Sequence, residues 1–333
     1  MQMNPAKCDE LDYIHFVIAS QRAFSCTEAA RCQPEGIKAP SHDAFTRLLT
    51  RQPPDTEALW QETQGLVDLK DGLLVLDDTT LDKPYAKSIE LVTRHWSGKH
   101  HRVVLGINLI SLIWTDGRAI IPTDFRVYDK PIGGKNKNEH FRDMLGAAKA
   151  RGFEPNYVLF DSWYSSLDNL KLVNTYDWLW LTRLKSNRQV NPDGSGNVAV
   201  STLEIGPAGK QLHLKGYGFI KVFRTVSPNG DAQHWATNEL DMTMQRLEQL
   251  KKQAWSIESY HRGIKQCCGI EKAQVRSASA QVRHISFSIR AFVRLEVHRL
   301  KTGVSWYEAK TAIIRDAIRQ FLDQPIYMLN STA

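Results

Sequence analysis

The sequence predicts an α/β protein: a mixed sheet flanked by helices, with a β-rich insertion and helical N- and C-terminal parts. Three observations predict it. Between residues 73 and 185, apolar and β-branched runs give way to amphipathic stretches, the mark of a sheet with helices on its faces. Residues 186–240 are turn-rich, with strand-like alternation between the turns, and both ends of the chain carry helical spacing.

Residues 9–70 read as helices. In "SHDAFTRLLTR", Ser41 is an N-cap candidate and Phe45, Leu48 and Leu49 fall at helical spacing. "TEAARC" supplies a short helix before it, and "QPEGIKAP" the turn between them. Such a pair is either a helix-turn-helix reader of DNA or a small helical cap on the next domain. From 73 the period changes. "LLVLDD" (73–78), "VVLGINLISLIWT" (103–115) and "AIIPTDFRVYD" (119–129) read as strands, the last two joined by the hairpin signal Asp116-Gly117. "NEHFRDMLGAAKARG" (138–152) is an amphipathic helix closed by Gly152, "YVLFD" (157–161) a buried strand, "SLDNLKLVNTY" (166–176) a helix and "WLWLTRLK" (178–185) a strand. The order is β-β-β-α-β-α-β. One long helix follows Asp241 and ends near Gly269, and an arginine-rich helical tail runs to about 323. The expected division is 1–70, a helical domain; 71–185, the first part of the core; 186–240, the insertion; and 241–333, the second part of the core with the tail.

No stretch approaches the roughly 18 to 20 uncharged apolar residues of a membrane span, and "MQMNPAKCDELDY" lacks the order of a signal peptide. A cytoplasmic protein with no membrane partner is expected. The five cysteines, in neither zinc-finger nor disulfide-scaffold spacing, are expected to be reduced thiols, and the Trp and Met residues on apolar runs to be core.

The net charge of +7 is uneven. Residues 1–70 hold seven Lys and Arg against ten Asp and Glu, whereas 258–301 hold nine against three. "RHWSGKHHR" (94–102) and "KPIGGKNK" (130–137) add basic loops. Basic segments interleaved with aromatics suit a phosphate backbone. Arg94, Lys99, Arg102, Lys135, Lys137, Arg276 and Arg283, with Arg290 and Arg294 of the tail, are the candidate DNA contacts.

Two strands end on aspartate. Cutting a phosphodiester by the two-metal route needs ions about 3.5 to 4 Å apart, held by carboxylates on rigid elements. Asp78 (or its neighbour Asp77), Asp161 and Glu258 on the long helix would converge if the strand at 157–161 lies parallel beside the first. Each also has a plainer use: an Asx turn at Asp77-Asp78, a helix cap at Asp161, a pair with Arg262 at Glu258. At 100° per residue, Glu258, Arg262 and Lys265 share one helix face, putting a carboxylate beside two phosphate-seeking cations.

The ordered set "LVLDDTT", "YVLFDSWYSS" and "WSIESYHRGIKQ", with a β-rich insertion before the glutamate helix, resembles the DDE transposases of bacterial insertion sequences, the cut-and-paste kind with an RNase H-like core. The resemblance spans roughly residues 40–300. It implies a bacterial, nucleoid-associated enzyme that binds terminal inverted repeats of double-stranded DNA, cleaves at the element ends with two Mg²⁺ ions (Mn²⁺ as substitute), and joins the 3′-hydroxyls to target DNA as a homodimer. Asp78 matches the first aspartate of the family, with Asp77 the second choice; Asp161 matches the second, Glu258 the glutamate and Lys265 the lysine that contacts DNA phosphate. Trp255, three before the glutamate, also fits. The chain departs upstream, where Lys251 and Ala254 stand at the family's tyrosine and arginine positions, and Arg262 is the candidate to take over part of that arginine's task. A nuclease that cuts without joining, or a DNA-binding regulator with a dead site, are the alternatives.

Overall fold

The computed structural model describes residues 7–34, 39–51, 56–97, 101–129, 134–227 and 229–325. Two compact units divide the chain, one of Met1–Asp55, Leu81–Val92 and His261–Ala333, the other of Thr56–Thr80 and Thr93–Tyr260.

The first unit is helical. It holds α1 (Glu10–Ala19), α2 (Cys26–Arg31), α3 (His42–Thr50), the end of α8 (Ser256–Gln266), α9 (Ala278–Thr302) and α10 (Trp306–Asp323). Asp9 and Asp12 form a reciprocal capping box at the start of α1, satisfying two orphan amides. Apolar faces of α1 and α3 pack on α9, joining Tyr13, Phe24, Phe45 and Phe287 in one aromatic core. His284 lies within it. Burial pushes its pKa down to about 3, so the ring is neutral and satisfied by Tyr13 Oη at 3.1 Å and the Ile270 carbonyl at 3.1 Å.

The second unit is built on one mixed sheet. Its strands are β1 (Leu73–Asp82, whose last two residues belong to the first unit), β2 (Thr93–Ser97), β3 (Arg102–Thr115), β4 (Ile121–Tyr128), β5 (Tyr157–Phe160), β6 (Trp180–Leu184), β7 (Gln189–Asn191), β8 (Val198–Ala199), β9 (Lys210–Leu214), β10 (Gly218–Val226) and β11 (Ala232–Thr237). Its helices are α4 (Thr56–Thr63), α5 (Lys137–Ala150), α6 (Leu167–Thr175), α7 (Met244–Ala254) and the start of α8. The strand order is β2-β3-β1-β5-β6-β11-β10-β9-β7-β8, with β4 also on β3. β1, β5 and β6 are mutually parallel. The apolar runs of β1 and β5 are buried throughout, as strands covered on both faces must be.

Three features differ from the sequence expectation, and the β-rich insertion, present as expected, joins the core sheet. β1 does not stop at its aspartates but continues through Thr79 and Thr80, β-branched residues suited to a strand. Of the basic segment 94–102, the described residues 94–97 are strand rather than loop: Thr93–Ser97 pairs antiparallel with β3. The strands of 186–240 form no sheet of their own, because β11 pairs with β6 and continues the core sheet. The long helix is broken: α7 ends at Ala254 and is capped by Trp255, whose N–H bonds back to the Gln253 carbonyl, and α8 starts at Ser256.

All five cysteines are free thiols. Among the described residues, no helix is long and apolar enough to cross a membrane.

Candidate active site

Parallel pairing determines which aspartates meet. The β1–β5 ladder runs from Leu73 opposite Tyr157 to Leu76 opposite Phe160. The next residues along the two strands are Asp77 and Asp161, which therefore point to the same face. On the other side of β5, Phe160 pairs with Thr182, and the next residue of β6 is Arg183. Arg183 Nη2 donates to Asp161 Oδ1 at 2.8 Å, and the Ser162 amide donates to the same oxygen as Asp161 caps the turn Ser162–Tyr164. Glu258 comes from the first turn of α8 and is exposed. Asp77, Asp161, Arg183 and Glu258 line one cavity of about 310 Å³, together with Lys251, Trp235 and Trp255.

Asp78 faces the other way. Its Oδ2 accepts from Asn108 Nδ2 and Lys137 Nζ, both at 2.7 Å, and its Oδ1 from Tyr164 Oη at 2.8 Å. Burial opposes its ionisation, but the Lys137 charge and the three hydrogen bonds outweigh that and hold its pKa below the ordinary carboxylate range. Asp77 is the reverse case. Burial, then the charges of Asp78, Asp161 and Glu258, push its carboxyl well above that range. A cation placed among those oxygens would relieve the repulsion, and an all-carboxylate donor set suits a hard divalent ion such as Mg²⁺. Among the described residues, no three His, Cys, Asp or Glu side chains are already close enough to hold a metal ion. The carboxylates share a cavity without forming a closed ligand set.

Against this geometry stand the comparisons with known proteins. The family model for DDE superfamily endonucleases matches residues 25–262, more than half of the chain. The chain belongs to the DDE superfamily endonucleases. Among solved structures, the piggyBac transposase synaptic complex with hairpin DNA aligns with 98% of this chain and 76% of its own at a TM-score of 0.51 and 10% identity, a likeness of fold. The strand transfer complexes of the Drosophila P element transposase (TM-score 0.28, 12% identity, 99% of this chain and 68% of that one) and of Mos1 (0.20, 11%, 54% and 58%) are also similar. No curated protein matches the sequence.

The structure distributes the other predicted site residues of this endonuclease unevenly. Arg94, Arg102 and Arg276 are exposed. Lys135 is exposed and paired with Asp143 at 2.6 Å, and Arg262 is exposed on α8. Lys265 lies 3.6 Å from Glu271. Lys99 lies outside the described residues, as do residues 130–133 of the second basic loop. Lys137 is not a loop cation but the first residue of α5, bound to Asp78. Arg283 is turned inward: it and Arg290 are buried, 3.6 and 2.6 Å from the carboxylate of Glu10, because α9 buries that face against α1. The tryptophans expected in the core divide too, with Trp96, Trp163 and Trp255 exposed by 66%, 57% and 61%.

Sequence reasoning missed Arg183. The signal was present, a lone arginine in the apolar run "WLWLTRLK", where an unpaired charge would be costly.

Proposed function

We propose that this endonuclease is a cut-and-paste DNA transposase of an insertion sequence, which binds the element's terminal inverted repeats, cleaves at their ends and joins the freed 3′-hydroxyls to target DNA. The observation that carries the proposal is the convergence of Asp77, Asp161 and Glu258 on one cavity from β1, the end of β5 and the first turn of α8. In this reading Asp77, Asp161 and Glu258 would hold divalent magnesium, and Asp78 takes the supporting place. When bound, the metal supplies the positive charge that activates a nucleophile and stabilises the departing oxygen.

The protein's own groups do the rest. Arg183 fixes the Asp161 carboxylate through Oδ1, leaving its other oxygen for the cavity. Lys137, Asn108 and Tyr164 pin Asp78, and with it the stretch of β1 that presents Asp77. Arg183 and Lys251 offer cations to a phosphate entering the cavity, where the family's arginine is replaced by Ala254. Arg94, Arg102, Arg262, Lys265 and Arg276 are each assigned to DNA phosphates, and cutting two ends together calls for two copies of the chain on DNA.

The test is cleavage of a labelled duplex carrying the element's own ends, in magnesium and in chelator, by the wild type and by Asp161→Asn. Magnesium-dependent nicking at the boundary, lost in the variant, is the expected result, with joined product appearing when target DNA is added. Nicking that survives the variant would overturn the site. Nicking without joined product would reduce the enzyme to a nuclease.

A further inference from the structure

Lys265, in the last turn of α8, stands beside a carboxylate. Its Nζ lies 3.6 Å from Glu271 Oε1, too far for a hydrogen bond but close enough for the two charges largely to cancel. Glu271 is firmly anchored. Its Oε1 accepts the Asp82 amide at 3.0 Å, and its own carbonyl accepts from the buried Lys83 Nζ at 2.8 Å, which also reaches the Ala273 carbonyl at 2.9 Å. The last residue of β1 and the one after it thus hold both the side chain and the main chain of Glu271. The turn that carries Glu271 is closed by the Lys272 N–H on the Gly269 carbonyl at 2.8 Å, with Gly269 left-handed at φ +60°. A bridge between Phe24 and Ala273 braces it further. Lys272 is turned to the Gln21 carbonyl at 3.0 Å, so of the lysines around this turn it is Lys265 that the carboxylate faces. All of these residues belong to the helical unit.

A fixed carboxylate beside a lysine has a definite consequence for a polyanion. A cation that neutralises a DNA phosphate gains from the counterions it releases, about 0.9 of an ion per contact on a duplex. An ammonium already matched by an anchored anion brings almost no net charge, and the anion repels phosphates that approach at random. A plainer use exists, since a lysine in a helix's last turn and an acceptor for a main-chain amide are both stabilising. Glutamine would serve that amide equally well through its side-chain carbonyl, so it is the charge of Glu271 that calls for a role. We propose that Glu271 is a specificity-determining counter-anion: it cancels Lys265 toward arbitrary duplex, and yields the ammonium only to a phosphate that other contacts deliver to it, as at an element end. The inference rests on the transposase reading, which supplies DNA as the partner, and deepens it by naming what restrains one of its phosphate contacts.

The experiment reads binding, not cutting. Full-length protein in chelator is titrated with an element-end duplex and with a duplex of unrelated sequence, by fluorescence anisotropy, at several salt concentrations. Glu271→Gln is expected to tighten binding of the unrelated duplex and to steepen its slope of log affinity against log salt by about 0.9, narrowing the preference for the element end. Lys265→Gln alone should weaken the element-end complex and leave the unrelated-duplex slope unchanged. Added to Glu271→Gln, it should take back the whole gain in slope. A purely structural carboxylate would not make one residue's effect on the slope depend on the other, and Glu271→Gln, which keeps an acceptor for the Asp82 amide, should melt close to wild type. An unrelated-duplex slope that Glu271→Gln leaves unmoved would overturn the inference, as would a drop of about 0.9 from Lys265→Gln by itself, a result that needs no Glu271 variant to fold. Either of these, in a protein that still cuts element ends, leaves the transposase reading intact. A wild type that binds neither duplex overturns that reading and the inference with it.

Discussion

Lys137 Nζ lies 2.7 Å from Asp78 Oδ2, on the face of β1 opposite to the cavity that Asp77 lines. Two consecutive carboxylates are thereby held in contrasting electrostatic surroundings, one neutralised and one crowded by like charges. Replacing each in turn separates their roles. Asp77→Asn should abolish magnesium-dependent cleavage, whereas Asp78→Asn should leave a measurable rate with metal affinity weakened about 10- to 100-fold, the usual cost of losing a supporting partner. Equal losses, with unchanged metal affinity in Asp78→Asn, would contradict the division.

The raised pKa of Asp77 makes a prediction about stability without metal. Between the pKa of the unfolded chain and the higher folded value, the folded state holds a proton that the unfolded state has released, so stability falls as pH rises. In chelator, Asp77→Asn should melt above the wild type at pH 8, with the difference shrinking towards pH 4. Thermal melts across that range check it, and a gap that widens on acidification would reverse the sign.

Arg183 is placed to act through Asp161. Both side chains are more than a third exposed, so the ion pair itself should contribute no more than about 0.2–1 kcal/mol to stability. Arg183→Gln is expected to melt close to wild type while cleaving about 10- to 100-fold more slowly, with the loss partly recovered at high magnesium. A large drop in melting temperature would show a structural role instead.

The buried arginines of α9 should behave unlike the exposed ones. Arg290→Ala leaves Glu10 without its closest partner, at an expected cost of about 1–3 kcal/mol, below that of a fully buried pair because Glu10 is 37% exposed. It should not change the salt slope of DNA binding. Neutralising Arg94, Arg102 or Arg276 should lower that slope by about 0.9 for each true phosphate contact, with stability unaltered.

The sequence carried more of this site than a reading by motif extracts. "LLVLD" and "YVLFD" each put four apolar residues ahead of an aspartate, and the parallel ladder brings Asp77 beside Asp161. Matching the runs by length points to Asp77, whereas the following threonines favour Asp78. The helices of the core and the Asp116-Gly117 hairpin were legible because period and turn chemistry are local. What was not legible depends on distant partners. β2 is a strand because β3 offers it an edge, Arg283 is buried because Glu10 lies opposite, and the helix break at Trp255 has no glycine or proline to announce it.

The pairing of β6 has a consequence for anyone who shortens this protein. β6 lies between β5, parallel to it, and β11, antiparallel, and it carries Arg183. Cutting out 186–240 as a detachable module would strip β6 of its neighbour and leave a row of unsatisfied amides and carbonyls beside the cavity that Asp77 and Asp161 line. Such a bare margin templates the addition of another chain. The truncated enzyme should therefore fail by self-association before it fails by chemistry, and segments exchanged between relatives will tolerate a swap only if the incoming piece brings a strand that can zip onto β6.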